Sequence, residues 1–214
     1  FKKTTHYIFV FLWSLNILKL NNLLEKRSIL YLITEKRINK IEDMLNNPIR
    51  SQRNILKKLI QNGLNTMFGE EHEFNKIKDY SNFASQIPIR DYESLYKYIN
   101  KILKGEENIL WPGKVQYFAK SSGTSNAKSK YIPITKESLE ECHFKAGKDL
   151  LSLYLNNFPN KNIYRGKGLM LGGSVSLSKN TKYKTGDLSG ILLDQFPFWV
   201  NYHRIPDVKT ALMK

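Results

Sequence analysis

The chain has 214 residues, enough for one large domain or two small ones, and its hydrophobic content of 41% supports a packed core. Its formal net charge of +15 is compatible with a polyanionic ligand, a nucleic acid or an anionic membrane surface. The lysines are scattered, and no arginine-rich run or aromatic-basic signature accompanies them, so nucleic-acid binding is not the preferred interpretation.

The first 33 residues carry no firm structural assignment. An apolar run from Tyr7 to Trp13 is too short for a membrane span, and no small-residue cleavage site follows it. We interpret it as an amphipathic first helix packed on the body, or as translated upstream sequence. Cytoplasmic residence is expected.

Two helices are predicted between Thr34 and Gly69. Apolar residues recur at helical spacing after Thr34, which is placed as an N-cap, and Pro48 ends that run. The second helix follows, and Gly69 is expected to stop it. The basic residues on its exposed face are interpreted as a solvated surface. They are Arg53, Lys57 and Lys58.

Two further helical segments precede the first strand. Asp79 to Ser85 predicts a short helical turn, which Pro88 ends. Asp91 caps a third clear helix, and Gly105 follows its end. We expect these helices to cover a sheet rather than to carry chemistry.

The most informative stretch runs from Lys120 to Lys130, between two β-like segments. Residues 115–119 and 131–134 have the character of short strands. Pro133 follows the loop within a β-branched and aromatic stretch, whereas a P-loop runs straight into a helix. The loop therefore joins two strands, as in a hairpin.

The composition of this loop predicts a site for a phosphate chain. Its glycine lets the backbone approach an anion or take a positive φ, so that neighbouring N–H groups can turn inward. Hydroxyl donors and a lysine ammonium complete the site. The alternative is a flexible, solvated hairpin tip. The candidate residues are Ser121, Ser122, Gly123, Thr124, Ser125, Lys128 and Lys130.

A long helix is predicted after the loop, from a cap at Thr135 to about Asn156. Cys142, the only cysteine, falls on its apolar stripe, so we expect a buried structural thiol and neither a disulfide nor a zinc cluster. The four histidines are far apart, and no metal site is predicted. The predicted buried stripe consists of Leu139, Cys142, Ala146, Leu150, Leu153 and Tyr154.

The last part of the chain alternates short strands, turns and helices. Residues 166–174 predict a strand that ends in a glycine turn, either a tight turn or a loop lining a nucleotide or acyl pocket. Residues 186–193 predict a short helix or strand, the aromatic cluster 197–199 is assigned to the core, and residues 206–207 open a final helix. Alternating helices and strands favour an α/β architecture.

Ser121–Ser125 with Lys130 behind it resembles the phosphate-binding motif of adenylate-forming enzymes, which include acyl-CoA synthetases and luciferases. One extra residue before the final lysine, followed by Tyr131-Ile132-Pro133, is similar to the auxin-responsive acyl-acid amido synthetases and their bacterial relatives. The flanking segments 108–112 and 139–145 are similar to the bacterial subgroup.

The resemblance extends from about residue 34 to the last residue, with two departures inside the loop. Ala127 stands where the family frequently has glycine, and Ser129 where it frequently has proline. Phosphate binding is still expected, but these changes affect the shape of the loop backbone.

The resemblance implies an ATP-dependent ligase that works in two steps. A carboxylate attacks the α-phosphorus of ATP, giving an acyl-adenylate and pyrophosphate. An amine, in the family an amino acid, then attacks the activated carbonyl to give an amide. ATP and Mg²⁺ are the implied cofactors, and the loop residues would hold the phosphates, with Lys128 and Lys130 as alternative inward-facing lysines. No general base is assigned, because a carboxylate is already ionised at neutral pH.

The resemblance also divides the chain. Residues 34–214 would form the amino-terminal part of the large α/β domain of an adenylate-forming enzyme, with residues 1–33 as a separate segment. The family's adenine-binding elements and mobile carboxy-terminal domain would lie beyond this sequence, so these residues alone are expected not to complete the reaction.

Three alternatives remain open at this point. The chain could be a non-catalytic nucleotide- or polyphosphate-binding protein, a basic nucleic-acid-binding domain, or a ligase with a thiol acceptor. The preferred partners are a small carboxylic acid and an amino acid or other amine, with no nucleic acid and no membrane span. The sequence carries no signal for an oligomeric state.

Overall fold

A layer of helices precedes the first strand. The structure, a computed structural model, describes residues 23–121, 129–159, 161, 163, 166–177 and 183–211. The predicted helical lead-in is confirmed, whereas the predicted amphipathic segment near Tyr7 lies outside the described residues. The helices are α1 (Leu23–Asn46), α2 (Pro48–Gly63), α3 (Met67–Glu71), α4 (Tyr80–Gln86) and α5 (Tyr92–Leu103).

Two of the predicted helix boundaries are wrong. α1 begins at Leu23, so Thr34 is a buried interior residue rather than an N-cap. Pro48 separates α1 from α2 as predicted, and it stands in the first turn of α2, where its missing N–H costs no hydrogen bond. α2 ends at Gly63, and Gly69 lies inside α3. A Cβ on Gly69 would fall 1.9 Å from the carbonyl oxygen of Gly63, so Gly69 serves close packing rather than helix termination.

The helical turn predicted at Asp79–Ser85 is confirmed as α4, and the predicted cap of α5 is confirmed. Asp79 accepts a hydrogen bond from the backbone N–H of Asn82 at 2.9 Å. Asp91 accepts one from the backbone N–H of Ser94 at 2.8 Å. Gly105 follows α5 with a φ of +92°, a conformation that favours glycine. The basic side chains predicted to be solvated on α2 are exposed; they are Arg53, Lys57 and Lys58.

Strands in the described residues form a four-stranded mixed sheet, in the order β2-β1-β5-β4, and a separate pair of β3 and β6. β1 pairs antiparallel with β2 and parallel with β5, and β5 pairs antiparallel with β4. β3 and β6 are parallel. Helices with a mixed sheet confirm the α/β class. The strands are β1 (Tyr117–Lys120), β2 (Tyr131–Ile134), β3 (Gly168–Leu169), β4 (Val175–Leu177), β5 (Lys184–Gly186) and β6 (Arg204–Ile205).

Helices cover both faces of this sheet, as β1 illustrates. Phe118 is fully buried in a cluster with Tyr98 and Ile102 of α5. The next residue, Ala119, belongs to a second buried cluster that includes Ile191 of α8 (Leu188–Gln195). Because successive side chains of a strand point to opposite faces, α5 and α8 pack on opposite sides of the sheet.

The helix after the loop is interrupted by a π-helical turn. Thr135 caps it as predicted, because its Oγ1 accepts a hydrogen bond from the backbone N–H of Ser138 at 3.1 Å. The first turn is α6 (Lys136–Ser138), the π-helical turn is Leu139–His143, and the helix continues as α7 (Phe144–Asn157).

The buried stripe predicted for this helix is largely wrong. Leu139 is buried, but Cys142 is exposed, so it is not a buried structural thiol. The π-helical turn shifts the later positions around the helix axis, and α7 packs on α1, where Arg37 and Asp149 form an ion pair. The exposed members of the predicted stripe are Cys142, Ala146, Leu150, Leu153 and Tyr154.

The carboxy-terminal part follows the predicted alternation. Gly186 ends β5, α8 follows, and a 3₁₀ helix spans Phe198–His203. Asp207 caps the last short helix, α9 (Val208–Ala211), by accepting from the backbone N–H of Thr210 at 2.9 Å. Phe198 is 55% exposed, so its assignment to the core is wrong. None of the helices in the described ranges has the length and hydropathy needed to cross a membrane.

Candidate functional site

The candidate phosphate-binding loop is the connection of a β-hairpin. Lys120 of β1 stands opposite Tyr131 of β2. Beyond this pair, the Ser121 N–H donates to the Lys130 carbonyl oxygen at 3.0 Å, and the Lys130 N–H donates to Ser121 Oγ at 3.1 Å. These two bonds close the base of the loop. The predicted hairpin connection is therefore confirmed.

The structure describes two of the seven candidate residues, Ser121 and Lys130. Both lie at the base of the loop, Ser121 just after the end of β1 and Lys130 just before the start of β2. The Ser121 hydroxyl accepts one hydrogen bond there, and its own hydrogen has no acceptor among the described residues. The other candidates lie outside the described residues, so their role in phosphate binding stays a prediction. They are Ser122, Gly123, Thr124, Ser125 and Lys128.

Tyr92, the first residue of α5, holds the start of β2 beside this base. Its hydroxyl accepts from the Tyr131 N–H at 2.9 Å and donates to the Tyr131 carbonyl oxygen at 3.4 Å. The Lys130 ammonium lies over the Tyr92 ring, 5.3 Å from its centroid, within the range of a cation–π contact. The sequence analysis did not single out Tyr92, because this contact joins residues 39 positions apart.

The charge of Lys130 is not neutralised by a carboxylate. Among the described residues, Lys130 forms no salt bridge, and its side chain is exposed. Asp91 lies near enough to be influenced by it. Hydrogen bonds from Ser94 are the main reason that the pKa of Asp91 is lowered, and the Lys130 charge lowers it further. An ammonium held by an aromatic ring and left without an ion pair is free to meet an anion.

The base of the loop lies at the carboxyl ends of two parallel strands. Ala119 of β1 is opposite Gly186 of β5, so the residues that follow the ends of these strands, Ser121 after β1 and Asp187 after β5, lie at one edge of the sheet. Val175 of β4 is also opposite Gly186, which brings the turn before β4 to the same edge. Ligands of open α/β sheets bind outside the carboxyl ends of the strands, which makes this edge the candidate site.

The turn before β4 is fixed against the start of α8. The Ser174 N–H donates to Asp187 Oδ2 at 3.2 Å, and the Gly173 N–H donates to Ser189 Oγ at 2.9 Å. A Cβ on Gly173 would lie 2.0 Å from Asp187 Oδ2. These two backbone N–H groups already have partners. A tight turn at Gly172-Gly173 is therefore favoured over a loop that lines a nucleotide or acyl pocket.

An ion pair anchors α8 at the opposite end of the same strands. Lys184 Nζ lies 2.8 Å from Asp194 Oδ2, and the Tyr117 hydroxyl lies 3.4 Å from that oxygen. The hydrogen bond to Asp194 raises the pKa of Lys184, and burial raises the pKa of Tyr117. These residues lie at the amino ends of β1 and β5, away from the candidate site, so we assign them a structural role.

No carboxylate, imidazole or thiol cluster suited to a metal ion occurs in the described part of the chain. The candidate site is therefore defined by backbone, hydroxyl and ammonium groups, which suit an anion.

The sequence is similar to proteins of one family. Residues 37–211 match the GH3 family N-terminal domain. The indole-3-acetic acid-amido synthetase GH3.2 of Arabidopsis thaliana is 30% identical over 135 residues, which cover 60% of this chain and 23% of that protein. The jasmonoyl-L-amino acid synthetase JAR6 of Nicotiana attenuata is 28% identical over 157 residues, which cover 73% of this chain and 26% of that protein.

Two solved structures of GH3.15 acyl acid amido synthetase share the fold. One superposes with a TM-score of 0.66 at 20% identity, over 81% of this chain and 30% of that one. The other, the Arabidopsis protein in complex with 2,4-DB, has a TM-score of 0.63 at 22% identity, over 75% and 28% of the two chains. The chain spans about a quarter of the length of the two curated relatives. Since the family match covers residues 37–211, the chain belongs to the GH3 family.

Proposed function

We propose that the protein is an ATP-dependent ligase that activates a carboxylic acid as an acyl-adenylate and joins the acyl group to an amino acid. Membership of the GH3 family supports an amide-forming ligase, because relatives are named for joining an acid to an amino acid. The observation that carries the proposal is the hairpin base at Ser121 and Lys130, which opens at the carboxyl edge of two parallel strands.

Formation of the acyl-adenylate, the first step, determines what this loop must stabilise. Negative charge on the triphosphate must be stabilised while pyrophosphate leaves. Backbone N–H groups and hydroxyls of residues 121–125, together with Lys130 or Lys128, would do this through fixed position and charge. Loss of one such donor typically costs about 3 kcal/mol, on the order of a hundredfold in rate.

The described residues fit a phosphate chain at this place. Among the described residues, the Ser121 hydroxyl has no acceptor for its hydrogen and the Lys130 ammonium has no ion pair. Mg²⁺ would enter with ATP, since it binds mainly through phosphate oxygens and water. The substrates would be a small carboxylic acid and an amino acid, and we retain cytoplasmic residence as part of the proposal.

Pyrophosphate exchange into ATP tests the first step directly. The full-length protein is incubated with ATP, Mg²⁺, labelled pyrophosphate and one carboxylic acid at a time. We expect acid-dependent exchange, reduced on the order of a hundredfold by Ser122→Ala. Ser81→Ala is the matched control, because Ser81 is exposed on α4. ATP binding without exchange for any acid would contradict the proposal and favour a non-catalytic nucleotide-binding protein.

Ser122→Ala also distinguishes the ligase hypothesis from the hypothesis of a basic nucleic-acid-binding domain. That alternative predicts tight DNA or RNA binding with strong salt dependence, and binding should survive Ser122→Ala. Product analysis with an amino acid and with a thiol in parallel then identifies the acceptor of the second step.

A further inference from the structure

Four lysine ammoniums in the described part of the chain lie over tyrosine rings, and two of them also bind a carboxylate. Lys184 lies 5.8 Å from the Tyr117 ring centroid and 2.8 Å from Asp194 Oδ2. Lys97 is placed in the same way, over a ring and 3.3 Å from Oε2 of Glu71. Each of these two ammoniums therefore has both a ring and an anion.

The other two ammoniums have a ring without an anion, and both lie at the base of the hairpin loop. The Lys120 ammonium is 5.5 Å from the Tyr131 ring centroid, and the Lys130 ammonium is 5.3 Å from the Tyr92 ring centroid. Neither forms a salt bridge with any described residue, and both side chains are exposed. Lys120 was not among the candidate residues of the sequence analysis, because it ends the strand that precedes the loop.

The two rings that hold these lysines are joined to each other. The Tyr92 hydroxyl bonds the backbone of Tyr131 at 2.9 and 3.4 Å, and Lys120 stands opposite Tyr131 in the hairpin. Lys120 follows Phe118 by two positions, so its side chain leaves the sheet on the face that α5 covers. Tyr92 is the first residue of α5. Both ammoniums are therefore held where α5 begins.

The carboxylate at the start of α5 does not neutralise these charges. Asp91 caps the helix, accepting from the backbone N–H of Ser94 at 2.8 Å and from the Ser94 hydroxyl. It forms no salt bridge with either lysine. Two positive charges held at one place repel each other, and a multiply charged anion bound there would remove that repulsion.

We propose that Lys120 acts with Lys130 to bind the two terminal phosphates of ATP, and hence the pyrophosphate that leaves; this rests on the proposed ligase function. When a carboxylate oxygen bonds to the α-phosphorus, the bond from that phosphorus to the bridging oxygen breaks. Its electron pair leaves with pyrophosphate, so negative charge grows on the terminal phosphates. A cation at that place stabilises the transition state more than it stabilises bound ATP.

Titration calorimetry with inorganic pyrophosphate and Mg²⁺, in the absence of any acid substrate, tests this site. We expect the Kd of Lys120→Met to rise on the order of tenfold above that of the wild type, as for one lost hydrogen bond between charged groups. Lys120→Arg should retain most of the affinity, because arginine keeps the charge and stacks on aromatic rings. Lys114→Met is the matched control, since it removes the same charge from an exposed lysine before β1, and its Kd should equal that of the wild type.

AMP and the exchange reaction show which phosphates Lys120 meets. AMP lacks the terminal phosphates, so it should bind the wild type and Lys120→Met equally. In pyrophosphate exchange, Lys120→Met should raise the KM for pyrophosphate on the order of tenfold and leave the KM for the acid unchanged. A lysine with a structural role alone would not change one of these KM values without the other.

Four outcomes would overturn the proposal. They are equal pyrophosphate affinity in the wild type and Lys120→Met, an equal loss in Lys114→Met, an equal loss of AMP affinity, and no pyrophosphate binding by the wild type. The calorimetry is independent of turnover. If no acid supports exchange, the ligase function fails, whereas a Kd for pyrophosphate that depends on Lys120 still establishes the phosphate site. Exchange that proceeds with the same KM for pyrophosphate in Lys120→Met leaves the ligase function intact and contradicts the role of Lys120.

Discussion

Tyr92 joins the helical layer to the base of the candidate loop through one hydroxyl and one ring. The hydroxyl bonds the backbone of Tyr131 on both sides, and the ring lies under the Lys130 ammonium. The two parts of the side chain therefore have different roles. The hydroxyl fixes the start of β2, and the ring positions the Lys130 ammonium.

We predict that Tyr92→Phe and Tyr92→Leu separate these contributions. Tyr92→Phe removes the hydroxyl bonds but keeps the ring, and it should lower the free energy of unfolding by about 1 kcal/mol in a urea titration. Tyr92→Leu removes the ring as well, and in the full-length protein it should raise the KM for ATP more than Tyr92→Phe does. Tyr80→Phe, at a 71% exposed position, is the control. Equal KM values for both Tyr92 variants would show that Lys130 does not depend on the ring.

Gly186 permits the close approach of β4 and β5 at the edge of the candidate site. A Cβ there would lie 2.1 Å from the Ser174 carbonyl oxygen, which is backbone and cannot move aside easily. We predict that Gly186→Ala lowers the free energy of unfolding by about 1–3 kcal/mol, as overpacking does. The control is Gly147→Ala on α7, where nothing lies within 4 Å of the new Cβ.

The control variant Gly147→Ala should instead have a higher free energy of unfolding than the wild type. An exposed helical glycine replaced by alanine stabilises a helix by up to about 1 kcal/mol. Chemical denaturation of both variants measures the two signs side by side. A Gly186→Ala protein as stable as the wild type would mean that the junction at Ser174 relaxes without cost.

At the scale of elements, α8 is attached to the sheet by the charge pair between Lys184 and Asp194. The pKa of Lys184 is raised above its ordinary value of 10.5, chiefly by the hydrogen bond to Asp194. A raised lysine pKa means that the charged form is favoured by folding. Its stabilising contribution is therefore fully present below 10.5 and is lost as the pH rises through the folded pKa.

The pH dependence of Lys184→Met tests this attachment. We expect the variant to be less stable than the wild type at pH 8, and the difference to shrink as the pH rises above 10.5. Lys57→Met, on the exposed face of α2, serves as the control and should show little difference at either pH. Urea titrations at several pH values give the comparison. A difference that is constant with pH would point to lost packing of the lysine stem rather than lost charge.

The whole-molecule scale concerns how much of the reaction this chain can support. It spans about a quarter of the length of its curated relatives. We predict that the 214 residues alone form no amide when supplied with ATP, an acid and an amino acid. Mass spectrometry of the products, with the GH3.2 synthetase of Arabidopsis thaliana as positive control, provides the measurement. Amide formation by these 214 residues at a rate comparable with that relative would contradict this prediction.

Much of the local structure and the framework of the site could be predicted from sequence. The helix caps at Asp91 and Thr135 were predicted because a capping side chain bonds a backbone N–H only three residues away. The hairpin was predicted for a similar reason: its strands, ending at Lys120 and starting at Tyr131, are close neighbours in the chain.

Contacts between distant parts of the chain were decided by the tertiary structure alone. Tyr92 meets the loop across 39 positions, and Gly69 is needed where two helices touch. The exposure of Cys142 follows a π-helical turn that an apolar periodicity of 3.6 residues does not reveal.

The sequence by itself determined the α/β class, the family resemblance and the phosphate-loop hypothesis, because each depends on a pattern of residues that are close together in the chain. Only the tertiary structure decided which groups share the carboxyl edge of the sheet, and that Arg204 is buried with no hydrogen-bond partner for its Nη atoms among the described residues. The physical reason is that burial and charge pairing depend on which distant segments pack together, and strand order decides this.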